Sequence, residues 1–250
     1  MEENFQTQTK TANWSKKLVN WKEDLLHLVY PASCLWCEKE LSVGLRNLCD
    51  ICDANLRFTY FENFTEASSL DKLFWGRSNL LSTCAFLQFE KDSSTQQILH
   101  AIKYKGKKDL AIEMGSRFGE RLNQNQEKYG SIEVLIPVPL HPKKKFIRGY
   151  NQSECIANGI AETTQAVVNT NFLTKGIHTE SQTKKANRFL RWDNVADVFH
   201  LDESKLKDVK HIALVDDVVT TGSTLEACIQ KIHQVLPDIK ITVLSLAIAK

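Results

Sequence analysis

Asp216 and Asp217 stand side by side at the end of an apolar run, Ile212 to Val215, and the chain continues Val218, Val219, Thr220, Thr221, Gly222, Ser223, Thr224. Two adjacent carboxylates are costly to hold together unless cations or hydroxyl groups bond to them. The hydroxyl-rich turn beyond them carries a glycine, which permits unusual backbone angles, and it runs into a segment with helical spacing. Backbone N–H groups and Thr/Ser hydroxyls at a helix N-terminus make an anion cradle, best suited to phosphate. Carboxylates that bind hydroxyls, placed next to a loop that binds phosphate, would together accept a ribose 5-phosphate. The stretch is not a Walker loop, since no Gly-Lys-Ser/Thr follows. An ordinary strand with a capped helix is the plain alternative.

A second set of ligand-type residues lies near the other end of the chain. Four of the seven cysteines, Cys34, Cys37, Cys49 and Cys52, form a CxxC-x11-CxxC pattern. Each CxxC turn can aim two sulfurs at one point, and four thiolates there suit a tetrahedral zinc with closed coordination, hence a structural metal. Four reduced, buried cysteines are the alternative. Glu38, Glu40, Asp50 and Asp53 surround the knuckles and weaken a phosphate-contact reading. Cys84, Cys155 and Cys228 occur singly in expected strand or helix interiors and read as small core hydrophobes.

The elements that must position these residues follow from periodicity. Strands are expected at Leu81–Phe89, Ile132–Leu140, His211–Asp217 and Ile241–Ala249, and helices at Ser93–Gly106, Asp109–Asn123, Asn151–Thr164 and Ser223–Leu236. The strands are continuously apolar and alternate with helices, which predicts an α/β fold, a parallel sheet covered by helices on both sides. Ligands of such sheets sit beyond the carboxyl ends of the strands, where Asp216 and Asp217 fall. Residues 54–79 read as an irregular connection, and Trp14–Tyr30 as an amphipathic helix with a mixed-sign polar face, a membrane-surface helix being the alternative. The domains expected are 1–60, an N-terminal helix with the four-cysteine zinc module, and 61–250, the sheet. The polar, acidic N-terminus is unlike a secretory signal and no apolar run has the length of a membrane span, so no membrane insertion and a cytoplasmic location are expected.

Net charge is only +2, which gives no global basic field. Local clusters exist at Lys103, Lys105, Lys107 and Lys108, at Lys143, Lys144, Lys145 and Arg148, and at Lys184, Lys185, Arg188 and Arg191. A solvated face is the usual reading of one such run. Three in expected loops of one domain are harder to dismiss.

The stretch Ala213–Leu225 closely resembles the PRPP-binding motif of type I phosphoribosyltransferases. The resemblance implies that Asp216 and Asp217 hold the ribose 2′- and 3′-hydroxyls and that Thr220, Thr221, Gly222, Ser223 and Thr224 hold the 5′-phosphate. With the CxxC pairs, HAIKYKG, IPVPLHPKKKFIRGYNQSE and TESQTKKANRFLRWDNVADVF in that order, the chain resembles the ComF family of competence proteins from about Leu25 to its end. That family is associated with uptake of transforming DNA and has a phosphoribosyltransferase-like domain without a settled reaction. By the same resemblance Pro139–Gln152 occupies the place of the pyrophosphate loop and Thr179–Asn194 that of the flexible loop. Arg148, Lys184, Lys185 and Arg188 are then the cations that, with Mg²⁺, would stabilise departing pyrophosphate, Arg188 joining the acid pair as a catalytic candidate. Lys175 and Ile177 stand where relatives lead one to expect arginines, which puts turnover in doubt and leaves binding untouched.

Two functions follow. One is a competence protein whose site binds a phosphorylated ribose, PRPP or a nucleic-acid end, acting in DNA uptake with competence-machinery proteins and with single-stranded DNA as a candidate ligand of the basic loops. The other is a transferase moving phosphoribose from PRPP to a nitrogen nucleophile. A pure zinc-ribbon DNA-binding protein leaves the pairing of the two acids with a phosphate loop unexplained.

Overall fold

A computed structural model describes residues 32–42, 47–176 and 199–249. The expected helix at Trp14–Tyr30 and the whole segment Thr179–Asn194 lie outside them, as do Ile177, Lys184, Lys185, Arg188 and Arg191. The chain divides into two compact units, Met1–Asn55 and Leu56–Lys250.

In the first unit the backbone folds back on itself at the first CxxC. Ser33 and Glu40 form an antiparallel bridge, the Cys34 N–H donates to the Lys39 carbonyl at 2.8 Å, and the Glu38 N–H donates to the Cys34 carbonyl at 3.0 Å. Glu38 takes a left-handed conformation, φ 60°, to close that turn. The second CxxC opens a one-turn helix, α1 (Asp50–Ala54).

The second unit runs α2 (Ser69–Phe74), β1 (Ser82–Phe89), α3 (Ser94–Tyr104), α4 (Lys108–Leu122), α5 (Gln126–Tyr129), β2 (Val134–Pro137), α6 (Pro142–Arg148), α7 (Gln152–Thr163), β3 (Val167–Val168), β4 (Leu173–Lys175), β5 (Phe199–Leu201), β6 (His211–Val219), α8 (Ser223–Val235) and β7 (Lys240–Ala249). Five strands form one sheet in the order β1-β7-β6-β2-β3, every neighbouring pair parallel. Burial on both faces explains the continuous apolar runs: Ile212, Ala213, Leu214 and Val215 of β6 and Val243, Leu244, Leu246 and Ala247 of β7 are all fully enclosed. β4 and β5 form a separate antiparallel pair.

The connections fix where a ligand can enter. β2 reaches β3 through α7, moving outward on one side, and β6 reaches β7 through α8, moving outward on the other. Right-handed crossovers in opposite directions lie on opposite faces, so a crevice opens between β2 and β6. α4 packs closely on α7 because Gly115 and Gly159 let the two backbones approach; a Cβ at either would collide with the partner's main chain.

Two expectations need correction. β6 does not end at Asp217: it pairs with β7 as far as Val219↔Ile248, while its pairing with β2 stops at Pro137↔Val215. The acids therefore sit where β6 loses one neighbour, not where the strand ends. Residues 54–79 are more ordered than an irregular connection, since Ser68 and Asp71 form a reciprocal capping box that starts α2.

Candidate functional site

The last bond between β2 and β6 runs from the Val138 N–H to the Val215 carbonyl, 2.8 Å. Beyond it β2 turns away at its prolines, and the free edge of β6 carries Asp216 and Asp217. Asp216 Oδ1 accepts from the Asp217 N–H at 2.9 Å and from the Ser153 hydroxyl at 3.2 Å. Ser153 is delivered by the start of α7, where Asn151 caps the helix by accepting from the Ser153 N–H at 3.2 Å and holds β2's exit by donating to the Val138 carbonyl at 3.0 Å. Asp217 Oδ2 lies 3.1 Å from the ammonium of Lys103, in the last turn of α3. Burial, and next the charge of Asp217, push the Asp216 carboxyl up to about 7; the Asp217 N–H, Ser153 and Lys103 oppose the rise.

The hydroxyl loop follows directly. Thr220, Thr221, Ser223 and Thr224 are exposed and Gly222 is buried. Gly222 has φ 74° and occupies the N-cap of α8, so no side chain caps the first turn there. Its conformation suits glycine, and a Cβ would also come within 3.1 Å of the Phe74 ring. The helix N-terminus thus presents free N–H groups beside exposed hydroxyls, as an anion cradle requires. The segment just beyond α2 backs the loop: Arg77 donates to the Thr221 carbonyl at 3.1 Å and pairs with Glu226 on α8. Phe74, 2% exposed, packs under Gly222.

Segment Pro139–Gly149, expected as a loop, contains α6, with Pro142 in its first turn and Gly149 in a left-handed C-cap. Lys143, Lys144 and Lys145 are exposed on it, and Phe146 and Ile147 are 91% and 79% exposed. Arg148 donates to Gln152 Oε1 at 2.8 Å and stacks over the Tyr104 ring, 5.4 Å from its centroid. Lys175 ends β4, half-buried, its ammonium over the Phe199 ring; burial lowers its pKa.

The structure therefore brings Asp216, Asp217 and the Thr220–Thr224 loop together and ties Arg148 to α3 and α7. Sequence reasoning missed Lys103 as a contact of the acids, together with Ser153 and Arg77. Each comes from an element remote along the chain; only the capping signal at Ser68 and Asp71 could have pointed to α2.

The four sulfurs of Cys34, Cys37, Cys49 and Cys52 all lie within 4.8 Å of one another, with Cys37 and Cys49 3.7 Å apart. A tetrahedral zinc with Zn–S of about 2.3 Å needs sulfurs about 3.8 Å apart, so the set fits that ion. Burial opposes ionisation of Cys34, but the N–H groups of Cys37, Cys49 and Trp36 outweigh it and bring the thiol down to about 6. Cys84, Cys155 and Cys228 are buried in the second unit, as expected of core residues.

Fold and site define a parallel α/β protein with a crevice at its switch point and a four-cysteine cluster in its first unit. No family model matches the chain. It is 37% identical over 95 residues to competence protein F of Haemophilus influenzae, a match spanning 37% of this chain and 41% of that protein's length. It is 23% identical over 217 residues to DNA utilization protein YhgH of Escherichia coli O157:H7, spanning 79% of this chain and 89% of the relative. A further match, 26% over 130 residues, is to the protein of that name from Salmonella typhi, covering 51% of this chain and 56% of the relative. These similarities support a ComF-family protein.

Proposed function

We propose that the chain binds a phosphorylated ribose, PRPP or ribose 5-phosphate, in the crevice between β2 and β6, and serves DNA uptake in the cytoplasm together with competence-machinery proteins. The relatives' names, competence protein F and DNA utilization protein, support a competence or DNA-utilization role. The observation that carries the ligand is the adjacency of two carboxylates to a helix N-terminus left open by a glycine N-cap. Asp216 and Asp217 accept hydrogen bonds from the ribose hydroxyls. Thr220, Thr221, Ser223 and Thr224, with the first N–H groups of α8, hold the 5′-phosphate. Arg148, Lys184, Lys185 and Arg188 serve the pyrophosphate of PRPP. Mg²⁺ would arrive with that group, since carboxylate and phosphate oxygens are the hard donors it takes. The cysteine cluster holds a structural zinc. Among the described residues no helix is long and apolar enough to cross a membrane.

Calorimetric titration of PRPP and ribose 5-phosphate tests the site. Asp217→Ala and Asp216→Ala should each weaken binding by about 1.5–3 kcal/mol, the size of a charge-assisted hydrogen bond, with the fold intact. Equal affinities in wild type and variants would remove the sugar contact.

α6 offers the surface for single-stranded DNA, three exposed lysines followed by an exposed phenylalanine on which a base can stack. Replacing Lys143, Lys144 and Lys145 by Ala should flatten the dependence of log affinity on log salt. No binding at low salt would confine the chain to an indirect part in DNA handling.

One observation favours the transferase reading. A crevice of about 640 Å³ lies beside the site, lined by Pro139, Lys145, Phe146, Asn151, Glu154 and Lys175 among others, with room for an acceptor. Consumption of PRPP with a panel of nucleobases and amines, with Asp217→Ala as control, decides this reading.

A further inference from the structure

Lys103 is 18% exposed at its side chain and its partner Asp217 only 13%. Enclosing an ammonium is costly, and a single carboxylate does not fully offset that cost. Nor is the contact accidental, because the last turn of α3 is fastened to the segment that leads from β2 to α7. The Tyr150 hydroxyl donates to the Ile102 carbonyl, and the Arg148 guanidinium stacks on Tyr104. The last turn of α3 thus stands fixed beside the acid pair, while Phe74 of α2 and Arg77 beyond it back the phosphate loop.

The occupied oxygen matters. Asp217 Oδ2 is bonded to Lys103 in this structure, and a ribose hydroxyl that binds Asp217 competes for the same carboxylate. A lysine is a compact charge on a flexible stem with three rotatable donors, so it can leave one anion for another nearby. The 5′-phosphate belongs to the cradle at α8, whereas Lys103 stands at the acid pair. The other anion that a phosphorylated ribose can bring is the group on its anomeric carbon, adjacent to the hydroxyl that the acids hold.

Resting on the phosphorylated-ribose reading above, we infer that Lys103 is the residue that recognises the anomeric phosphate: it neutralises Asp217 in the empty site and passes to that phosphate when the sugar binds. The chain thereby distinguishes PRPP from ribose 5-phosphate through a residue of α3 as well as through its basic loops.

Titrations of Lys103→Met and Lys103→Arg with PRPP, inorganic pyrophosphate and ribose 5-phosphate test this. Lys103→Met should weaken PRPP and pyrophosphate about tenfold or more, the effect of one lost charge-assisted bond, and leave ribose 5-phosphate within about twofold. Lys103→Arg should recover part of the loss. Lys103→Gln, neutral and of similar length, repeats the comparison if the Met variant does not fold. Equal losses for all three ligands, or no loss, would overturn the inference and mark Lys103 as a structural counter-ion. Wild type that binds pyrophosphate through Lys103 but not ribose 5-phosphate would keep the anion contact and remove the sugar reading. Wild type that binds neither pyrophosphate nor PRPP would overturn the inference outright.

Discussion

The cysteine cluster and the acid pair are both crowded sets of like ligands, and they differ in how completely each can be closed. Four sulfurs within 4.8 Å of one another match the number and spacing that one tetrahedral zinc takes, which leaves no position for a further ligand. Asp216 and Asp217 receive the Asp217 N–H, the Ser153 hydroxyl and the Lys103 ammonium. Two carboxylates have about four acceptor positions each, so most of their capacity is unspent. A closed set serves the fold, whereas an open set is available to a ligand. The far end of β6 supplies a control inside the same strand. There the two ring nitrogens of His211 meet Ser131 and Thr242 at 2.8 Å each, and Thr242 meets Ser82 at 2.9 Å, so a buried polar group is closed by hydrogen bonds alone.

The largest effect should come from opening the closed cluster. Purified protein from zinc-replete medium is expected to carry one zinc per chain, and less than half an equivalent would break the comparison. Zinc binding is worth about 10–16 kcal/mol in zinc-finger peptides, so chelation should unfold the Met1–Asn55 unit, read as new protease cleavage within it. Retained protection after complete metal removal would show that the four thiols pack without an ion.

A smaller loss is expected at His211. Changing His211→Leu leaves Ser131 and Thr242 without their partner and should cost about 1–3 kcal/mol in urea unfolding. Ligand affinity should not change, and a parallel drop in affinity would show that the two ends of β6 are coupled. Burial lowers the His211 pKa below its ordinary 6.5. The unfolded chain therefore takes up a proton that the folded chain refuses. This contribution is fully present above about pH 6.5 and is lost as pH falls below it.

The closed cysteine cluster was legible in the sequence, whereas the closed set around His211 was not. CxxC spacing names its own ligands, and the continuous apolar runs of β6 and β7 announce a doubly covered parallel sheet. Asp216, Asp217 and the Thr220–Thr224 loop were legible too, because they are contiguous. What escaped was assembled across the chain: Lys103 from α3, Ser153 from α7 and Arg77 beyond α2 converge only after folding. α6 escaped for a different reason. It buries no side chain and so has no apolar periodicity, although Pro142 at its start and Gly149 at its end are the ordinary signals of a short helix.

The effect at Asp216 sharpens the comparison most, because its sign differs. Burial and the neighbouring Asp217 raise the Asp216 carboxyl from about 3.8 to about 7. Between those values the folded chain holds a proton that the unfolded chain has released, so stability should fall as pH rises through the window, by at most about 1.4 kcal/mol per pH unit. This slope runs opposite to that of His211, and a comparison with Asp216→Asn isolates it. The variant lacks the ionising group and should lose the slope. At pH 8 it should be more stable than wild type by about 1 kcal/mol, since an amide can keep the Ser153 bond without carrying charge beside Asp217. Ribose 5-phosphate should nevertheless bind it more weakly, because a neutral acceptor replaces a charged one. Gain of stability with loss of binding is the signature of a group held for a ligand. An Asp216→Asn protein less stable than wild type at pH 8 would instead place Asp216 with the closed, structural sites.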